Sequence, residues 1–471
     1  MTQATFRVEG SSVLARRLAR LVDAAQSCVA RNIVPGRGAG EPAYLRAGGG
    51  YADPWTRDAA INTWQAGSWL FPQVSRDTLT MVCERDGSAV VWDTQWWDQV
   101  SWLVGARQLA VVTGDRGWAS RALEVGKGTF ARLDQRCLGP DGLYRGPAVM
   151  ADGITGYPPS LHDPARAGDS FVLDHAATHR IRCLSTNALH VLALRCLADL
   201  AEASGRSGEE WRGRAEALAA LVRDRFWISA ENRFGYLLPD PAADTAGAAP
   251  SREQEGLGLA LAILAGVADP AQARASVAGA WRTPHGLPAV WPAFDGFDEH
   301  RFGRHGTALW PMVMGVWAQA VAASGDAVAF GTELEALCAL FEGSGREFFE
   351  VYHPFTGVAD GGWQAGRWWR SEPDQTWSAT AFLGTVLHGL AGLRPCLEGL
   401  RLAPCPPPGA GRVELVGLPW RGSRFNLVLD GSGSRVAEVL ADGHQVPADQ
   451  PVVDAAVPHT LEVHCTEEAH G

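Results

Sequence analysis

Two carboxyl side chains stand in surroundings that could do chemistry. Asp152 lies in the stretch Gly142–Pro158, GLYRGPAVMADGITGYP, between Met150, Ala151 and Ile154. Partly apolar neighbours desolvate a carboxyl and raise its pKa, which suits a proton donor. Glu350 lies in Glu347–Gly357, EFFEVYHPFTG, followed by Asp360-Gly-Gly-Trp363-Gln364 and by Asp374-Gln-Thr-Trp377-Ser378 at the head of a predicted helix. One acid that protonates a leaving oxygen and one carboxylate that activates water or attacks carbon are what cleavage of a glycosidic bond requires. Residue type alone also allows a plainer reading: Asp152-Gly153 as a turn-forming pair, and Glu350 as a solvated side chain near a helix end.

Around these acids the loops are dense in Trp, Gly, Asp and Arg. The chain holds 19 Trp against 6 Tyr. An indole face covers apolar surface, including the C–H face of a pyranose, although core packing is the commoner use of any single Trp. Trp92-Asp-Thr-Gln-Trp96-Trp97-Asp98 is the densest such segment, and Trp96, Trp97 and Asp98 are expected to bind sugar. His175 and His179 stand four apart like a metal pair, but Ala176 occupies the place of the Glu in H-E-x-x-H, and a loop reading is preferred. Neither a G-x-x-x-x-G-K-[ST] phosphate loop nor a G-x-S-x-G elbow occurs. Glu253 and Glu255 precede a helix, where acids favour the macrodipole, and Glu255 could also reach a sugar hydroxyl.

Helices must position these loops. Segments 11–31, 184–204, 207–226, 306–324 and 375–390 carry apolar residues at helical spacing, and others lie near 58–71, 75–84, 95–113, 116–135, 255–266, 270–281 and 331–343. About twelve helices make six hairpins, which can close into an (α/α)6 barrel, an all-α double ring. The long connections are 36–57, 86–95, 138–182, 228–254, 283–305 and 345–374, lengths that favour function. Beyond 392 the pattern shifts to period two, as in Phe425, Leu427 and Leu429, with Asp442-Gly443 as a hairpin signal. The expectation is a catalytic barrel over 1–392 and a small antiparallel β-sandwich over 393–471.

The motifs carry a resemblance. Glu350-x-Tyr352-x-Pro354-x-Thr356-Gly357, followed by Trp377-Ser378 opening a helix, resembles the general-base motif of glycoside hydrolase family 63, whose clan partner is the family 37 trehalases. Pro54-Trp55-Thr56-Arg57-Asp58 resembles the family's Trp-Ser-Arg-Asp, with Thr for Ser, which lines the pocket for the terminal sugar. Arg304-His305-Gly306 leading to Trp310-Pro311 loosely resembles its Arg-Gly-Pro-Val-Trp, with His305 displacing the first Gly. The resemblance implies Glu350 as the base that activates water, an α-linked substrate and inversion. The family's general acid is an Asp in a mid-barrel loop. Asp152 matches by order and context, with Asp93 and Asp98 as rivals. Trp55, Arg57, Asp58, Arg304, His305, Trp310, Trp363, Gln364 and Trp377 complete the expected substrate-binding set.

Composition bounds the rest. Apolar residues make up 46% and charged residues 20% of 471, which describes a folded chain. A net charge of −11 offers no basic stripe for nucleic acid or anionic membrane. Nine Cys without C-x-x-C and an N-terminus lacking an apolar h-region point to a cytoplasmic location. A carbohydrate substrate is expected, with no cofactor and no metal; oligomeric state is left open. Three other functions share these features: a glycoside phosphorylase, a trehalase-like enzyme and a non-catalytic carbohydrate-binding protein.

Overall fold

The computed structural model describes residues 5–36, 38, 40–240, 249–448 and 458–467. Parts of the loop at 228–254 and of the segment after 393 therefore lie outside the described residues.

The predicted helices form, with ends shifted by a few residues. In chain order they are α1 (Val13–Arg31), α2 (Thr56–Asn62), α3 (Ser68–Leu70), α4 (Pro72–Met81), α5 (Ser101–Thr113), α6 (Arg116–Arg136), α7 (Leu184–Ala203), α8 (Glu209–Phe226), α9 (Gly256–Leu264), α10 (Pro270–Gly279), α11 (Pro311–Ala323), α12 (Ala327–Gly343) and α13 (Thr376–Gly384). A π turn, Thr63–Gly67, joins α2 to α3, and another, Thr385–Leu390, extends α13. Local chemistry sets several starts. Ser12, Asp115 and Asp326 accept from backbone N–H groups of the first turns of α1, α6 and α12, and Asp269 with Gln272 makes a capping box on α10.

The helices fall into two kinds. α2, α5, α7, α9, α11 and α13 are buried on nearly every face. By contrast α1, α6 and α8 bury one stripe and leave polar residues in water. Among the described residues the buried set runs in a circuit of contacts: α2 on α5, α5 on α7, α7 on α9, α9 on α11, α11 on α13, and α13 back on α2. The one-sided helices pack outside: α1 on α13, α4 and α6 on α5, α8 on α7, α12 on α11. Each buried helix begins within a few residues of the end of a long loop, so the circuit carries those loops at its helix N-termini.

The segment after 392 departs from expectation. Its described strands make a two-stranded ribbon (Leu393–Pro395 with Leu400–Leu402) and a single six-stranded sheet rather than two facing sheets. The sheet order is Arg7–Glu9, Val413–Trp420, Ser423–Gly431, Thr460–Thr466, Arg435–Ala441, His444–Val446. It is mixed, because Ser423–Gly431 and Thr460–Thr466 run parallel. Its first strand comes from the chain's beginning, tied to α1 where the Gln26 side chain bonds both backbone groups of Phe6. Alternation marks which residues face inward but not what covers them. Here helices help cover them: Trp420 lies 5.6 Å from Trp69 of α3, and Arg421 donates to the Val111 carbonyl of α5. The Asp442-Gly443 turn does form, with φ of 48° and 79°.

Close approach of α2 and α5 depends on Gly105, where an added Cβ would meet the Ala60 carbonyl oxygen at 2.6 Å. Gly213 on α8 faces open space. Gly105→Ala should therefore destabilise by about 1–3 kcal/mol through overpacking. Gly213→Ala should stabilise by up to about 1 kcal/mol through helix propensity. Thermal denaturation of the pair reads the opposite signs; a neutral Gly105→Ala would contradict the packing described.

Candidate active site

Asp152 is held by α2. Arg57 in its first turn places Nη1 2.9 Å from Asp152 Oδ1 and Nη2 2.9 Å from Oδ2, a bidentate pair. Gln95 Nε2 donates to the same carboxylate at 2.7 Å. The loop carrying Asp152 is pinned from behind. Met150 is left-handed at φ 62°, and the Tyr157 hydroxyl accepts from Ala148 N and donates to the Ala151 carbonyl, each at 2.9 Å. About a fifth of the Asp152 side chain is exposed, and it opens into a cavity.

Glu350 lines the same cavity, of about 190 Å³. Arg304 Nη2 forms an ion pair with its Oε2, and the Tyr51 hydroxyl donates to Oε1 at 3.1 Å. Arg304 also donates to the Gly361 carbonyl at 3.1 Å and lies over Trp310, whose indole N–H donates to the Arg304 carbonyl at 2.8 Å. Asp58 completes the acids on this wall; burial pushes its carboxyl up to about 7, reinforced by Glu350 and Asp152 against the pull of Arg57. Burial also pulls His305 down to about 3. The neutral ring sits 2.8 Å from Gln364 Oε1 through Nδ1, so Nδ1 carries the proton and donates it.

Trp55, Arg57, Asp58, Asp152, Arg304, His305, Trp310, Glu350, Gln364 and Trp377 all border this one cavity. Four expected binders do not. Trp97 is fully buried with its N–H given to the Ala148 carbonyl, and Trp96 stacks on Trp92 at 5.9 Å. Asp98 is buried beneath Arg57, and Trp363 packs on Trp368 and under Arg301. These indoles pack on neighbouring side chains, while other residues of the same loops, Gln95, Gln364 and Trp369, border the cavity. Tyr51, Gln95, Trp369 and Gln375 line the cavity without having been singled out. Of these, Gln95 had a signal: it falls inside the Trp92–Asp98 segment.

Other candidates resolve differently. His175 accepts from Asp163 N through Nδ1 at 3.0 Å, and His179 Nε2 lies 2.7 Å from the Leu173 carbonyl, so both rings serve their own loop. Among the described residues no cluster of three or more His, Cys, Asp or Glu could hold a metal ion. No described helix is long and apolar enough to cross a membrane. A larger cavity of about 390 Å³ lies at the C-terminal parts of the buried helices, but its one lining acid, Asp199, is paired with Arg107. Glu255 does not reach the site cavity. It sits behind Met150 and His305, accepting from Ser185 N at 3.0 Å.

Burial pushes Glu255 up from the ordinary 4.5 to about 8. Between those values the folded protein holds a proton that the unfolded chain has released. Stability therefore falls as pH rises through this window and is highest below it. Glu255→Gln should remove that part of the decline, so its Tm relative to wild type should be higher at pH 8.5 than at pH 5. Parallel Tm curves would show that Glu255 does not titrate there.

The comparisons bear on this geometry. Residues 58–378 match the family model described as the mannosylglycerate hydrolase MGH1-like glycoside hydrolase domain. No curated protein matches. Among solved structures, a sialidase aligns over 97% of this chain at TM-score 0.67 and 15% identity, and the match covers 41% of that protein's chain. The family 63 mannosylglycerate hydrolase from Thermus thermophilus, in complex with Tris and D-glycerate, aligns over 78% of this chain and 100% of its own, at TM-score 0.56 and 18% identity. A family 78 rhamnosidase from a Bacillus species aligns over 92% of this chain and 42% of its own, at TM-score 0.58 and 14% identity. At such identities the structural likenesses speak to fold, and the family model carries the assignment. The family 63 resemblance of the sequence motifs agrees with it. The chain is a glycosidase and belongs to the mannosylglycerate hydrolase MGH1-like glycoside hydrolase family.

Proposed function

We propose that the chain is an inverting, exo-acting glycoside hydrolase for an α-linked glucoside or a related small glycoside, built as an (α/α)6 barrel. The circuit of buried helices with one-sided helices outside it supports the barrel. The ribbon and sheet from 393 onward, with strand Arg7–Glu9 added, form an accessory domain on it. The observation that carries the functional reading is that Asp152 and Glu350 border one small cavity, each gripped by its own arginine. The small volume of the cavity, with Trp55 and Trp377 in its lining, supports a single terminal sugar ring, hence exo action.

In this reading Arg57 and Asp58 take hydroxyls of the terminal sugar, and an indole covers its apolar face. Asp152 protonates the glycosidic oxygen as the C–O bond breaks. Glu350, aimed by Arg304 and Tyr51, takes a proton from a water that attacks the anomeric carbon from the opposite face. An inverting mechanism requires a gap of about 6.5–9.5 Å between the two carboxyls to admit that water. The D-glycerate in the Thermus thermophilus structure makes glycosides of small hydroxy acids part of the substrate class to test.

Asp152→Asn and Glu350→Gln should each lower kcat by roughly 10²–10⁴-fold on the best α-glycoside while sugar binding persists. NMR of the first-formed product from wild type should show the β-anomer. Retained α-configuration would overturn inversion, and undiminished turnover in either variant would overturn that residue's role.

A further inference from the structure

The acid assignment contains a conflict. A proton donor must carry a proton, yet Asp152 is clamped bidentately by Arg57, an arrangement suited to a carboxylate. The same guanidinium reaches a second acid. Arg57 Nη1 lies 2.8 Å from Asp98 Oδ2, so one nitrogen is shared between Asp98 and Asp152. Asp98 is wholly buried, does not border the cavity, and its Oδ1 has no partner among the described residues. It cannot touch substrate, but it competes with Asp152 for Arg57.

We propose that Asp98 is a positioning residue that, through Arg57, decides whether the catalytic proton rests on Asp152. The proposal rests on the reading of Asp152 as the general acid. Besides any proton on Asp58, a proton shared across Arg57 has two arrangements. With the proton on Asp98, Arg57 is left to its bidentate contact with an ionised Asp152. With Asp98 ionised, Arg57 is satisfied from behind, and Asp152 holds the proton facing the glycosidic oxygen. In turnover the proton passes from Asp152 to the leaving oxygen, Glu350 takes one from the attacking water and releases it to solvent, and the Asp98–Asp152 pair recovers one from solvent.

The charge balance of the patch supports this. The groups facing Arg57 and Asp98 are Asp58 on α2, Asp93 on the Trp92–Asp98 loop, Asp152 and the neutral His305. Asp93 is tied to Thr56 Oγ1 and Gln95 N. Asp58, Asp98 and Asp152 together would leave two excess negative charges around one buried guanidinium, so the patch retains a proton near neutrality. Burial pushes Asp98 itself up to about 7.

The test compares leaving groups on one sugar. An alkyl glycoside needs protonation of its departing oxygen; a 2,4-dinitrophenyl glycoside does not. Asp98→Asn leaves Arg57 wholly to Asp152 and should hold it ionised. The expected result is a loss of roughly 10²-fold in kcat on the alkyl glycoside and under about 10-fold on the dinitrophenyl glycoside. The alkaline limb of kcat/KM should move to lower pH, with KM nearly unchanged. Equal losses on both substrates, or an unmoved limb, would overturn the proposal. Asp98→Ser carries the same comparison if Asp98→Asn does not fold. Asp152→Asn separates the two readings. If it shows no leaving-group dependence, the acid assignment itself fails; if it does and the Asp98 variants do not, only the proposal here fails.

Discussion

The pit depends on one buried cation. Arg57 sits between Asp98 beneath it and Asp152 at the cavity wall, with Asp58 beside it and Trp377 against its plane. Carboxyls buried this deeply would neutralise themselves without a guanidinium among them. The guanidinium fork also sets direction, because two parallel hydrogen bonds fix the plane of the Asp152 carboxylate as a single ammonium could not. Arg304 does the corresponding work for Glu350, anchored by the Gly361 carbonyl and the face of Trp310. Each acid is thus oriented by an arginine kept in place, Arg57 set in a buried helix and Arg304 held by contacts of its loop.

That stillness comes from the packing behind it. Arg57 lies in the first turn of a helix whose seven residues are all buried. The circuit keeps a few polar contacts at its centre: Asn62 accepts from Thr380, and Gln319 pairs with Gln65. Both π turns lie in this region, one after α2 and one after α13, and the two touch. Helices packed this closely behave as one body, so loops rooted at their N-termini inherit its rigidity. The small cavity is the gap those loops leave, and its walls come from segments as distant as Tyr51, Asp152 and Glu350.

Much of this was legible along the chain. Helical periodicity located every long helix because amphipathic or wholly apolar stripes are a local signal. The Trp55-Thr-Arg-Asp58 and Glu350 motifs led to cavity residues because their neighbours in sequence are also their neighbours in space. The Trp92–Asp98 segment misled in an instructive way. Its composition marked it as functional, yet Trp97 is packed inward, Trp96 stacks on Trp92, and the residue that reaches Asp152 is the unremarked Gln95. A loop's composition does not say which of its side chains turns toward the opening. The terminal sheet shows the same limit: alternation found the strands, but their partners include the chain's first strand and the helical body.

Residue order alone located the helices to within a few residues at their ends, the long loops between them, and the acids that stand in unusual company. These follow from interactions within a few residues: caps, turns and periodic burial. Tertiary structure alone decided that Arg57 serves two acids, that Glu350 is held by Tyr51 and Arg304, and that Glu255 lies behind the site instead of in it. Those contacts join residues from 41 to 299 positions apart. They exist only once the helix circuit has brought separate loops to one end of the body.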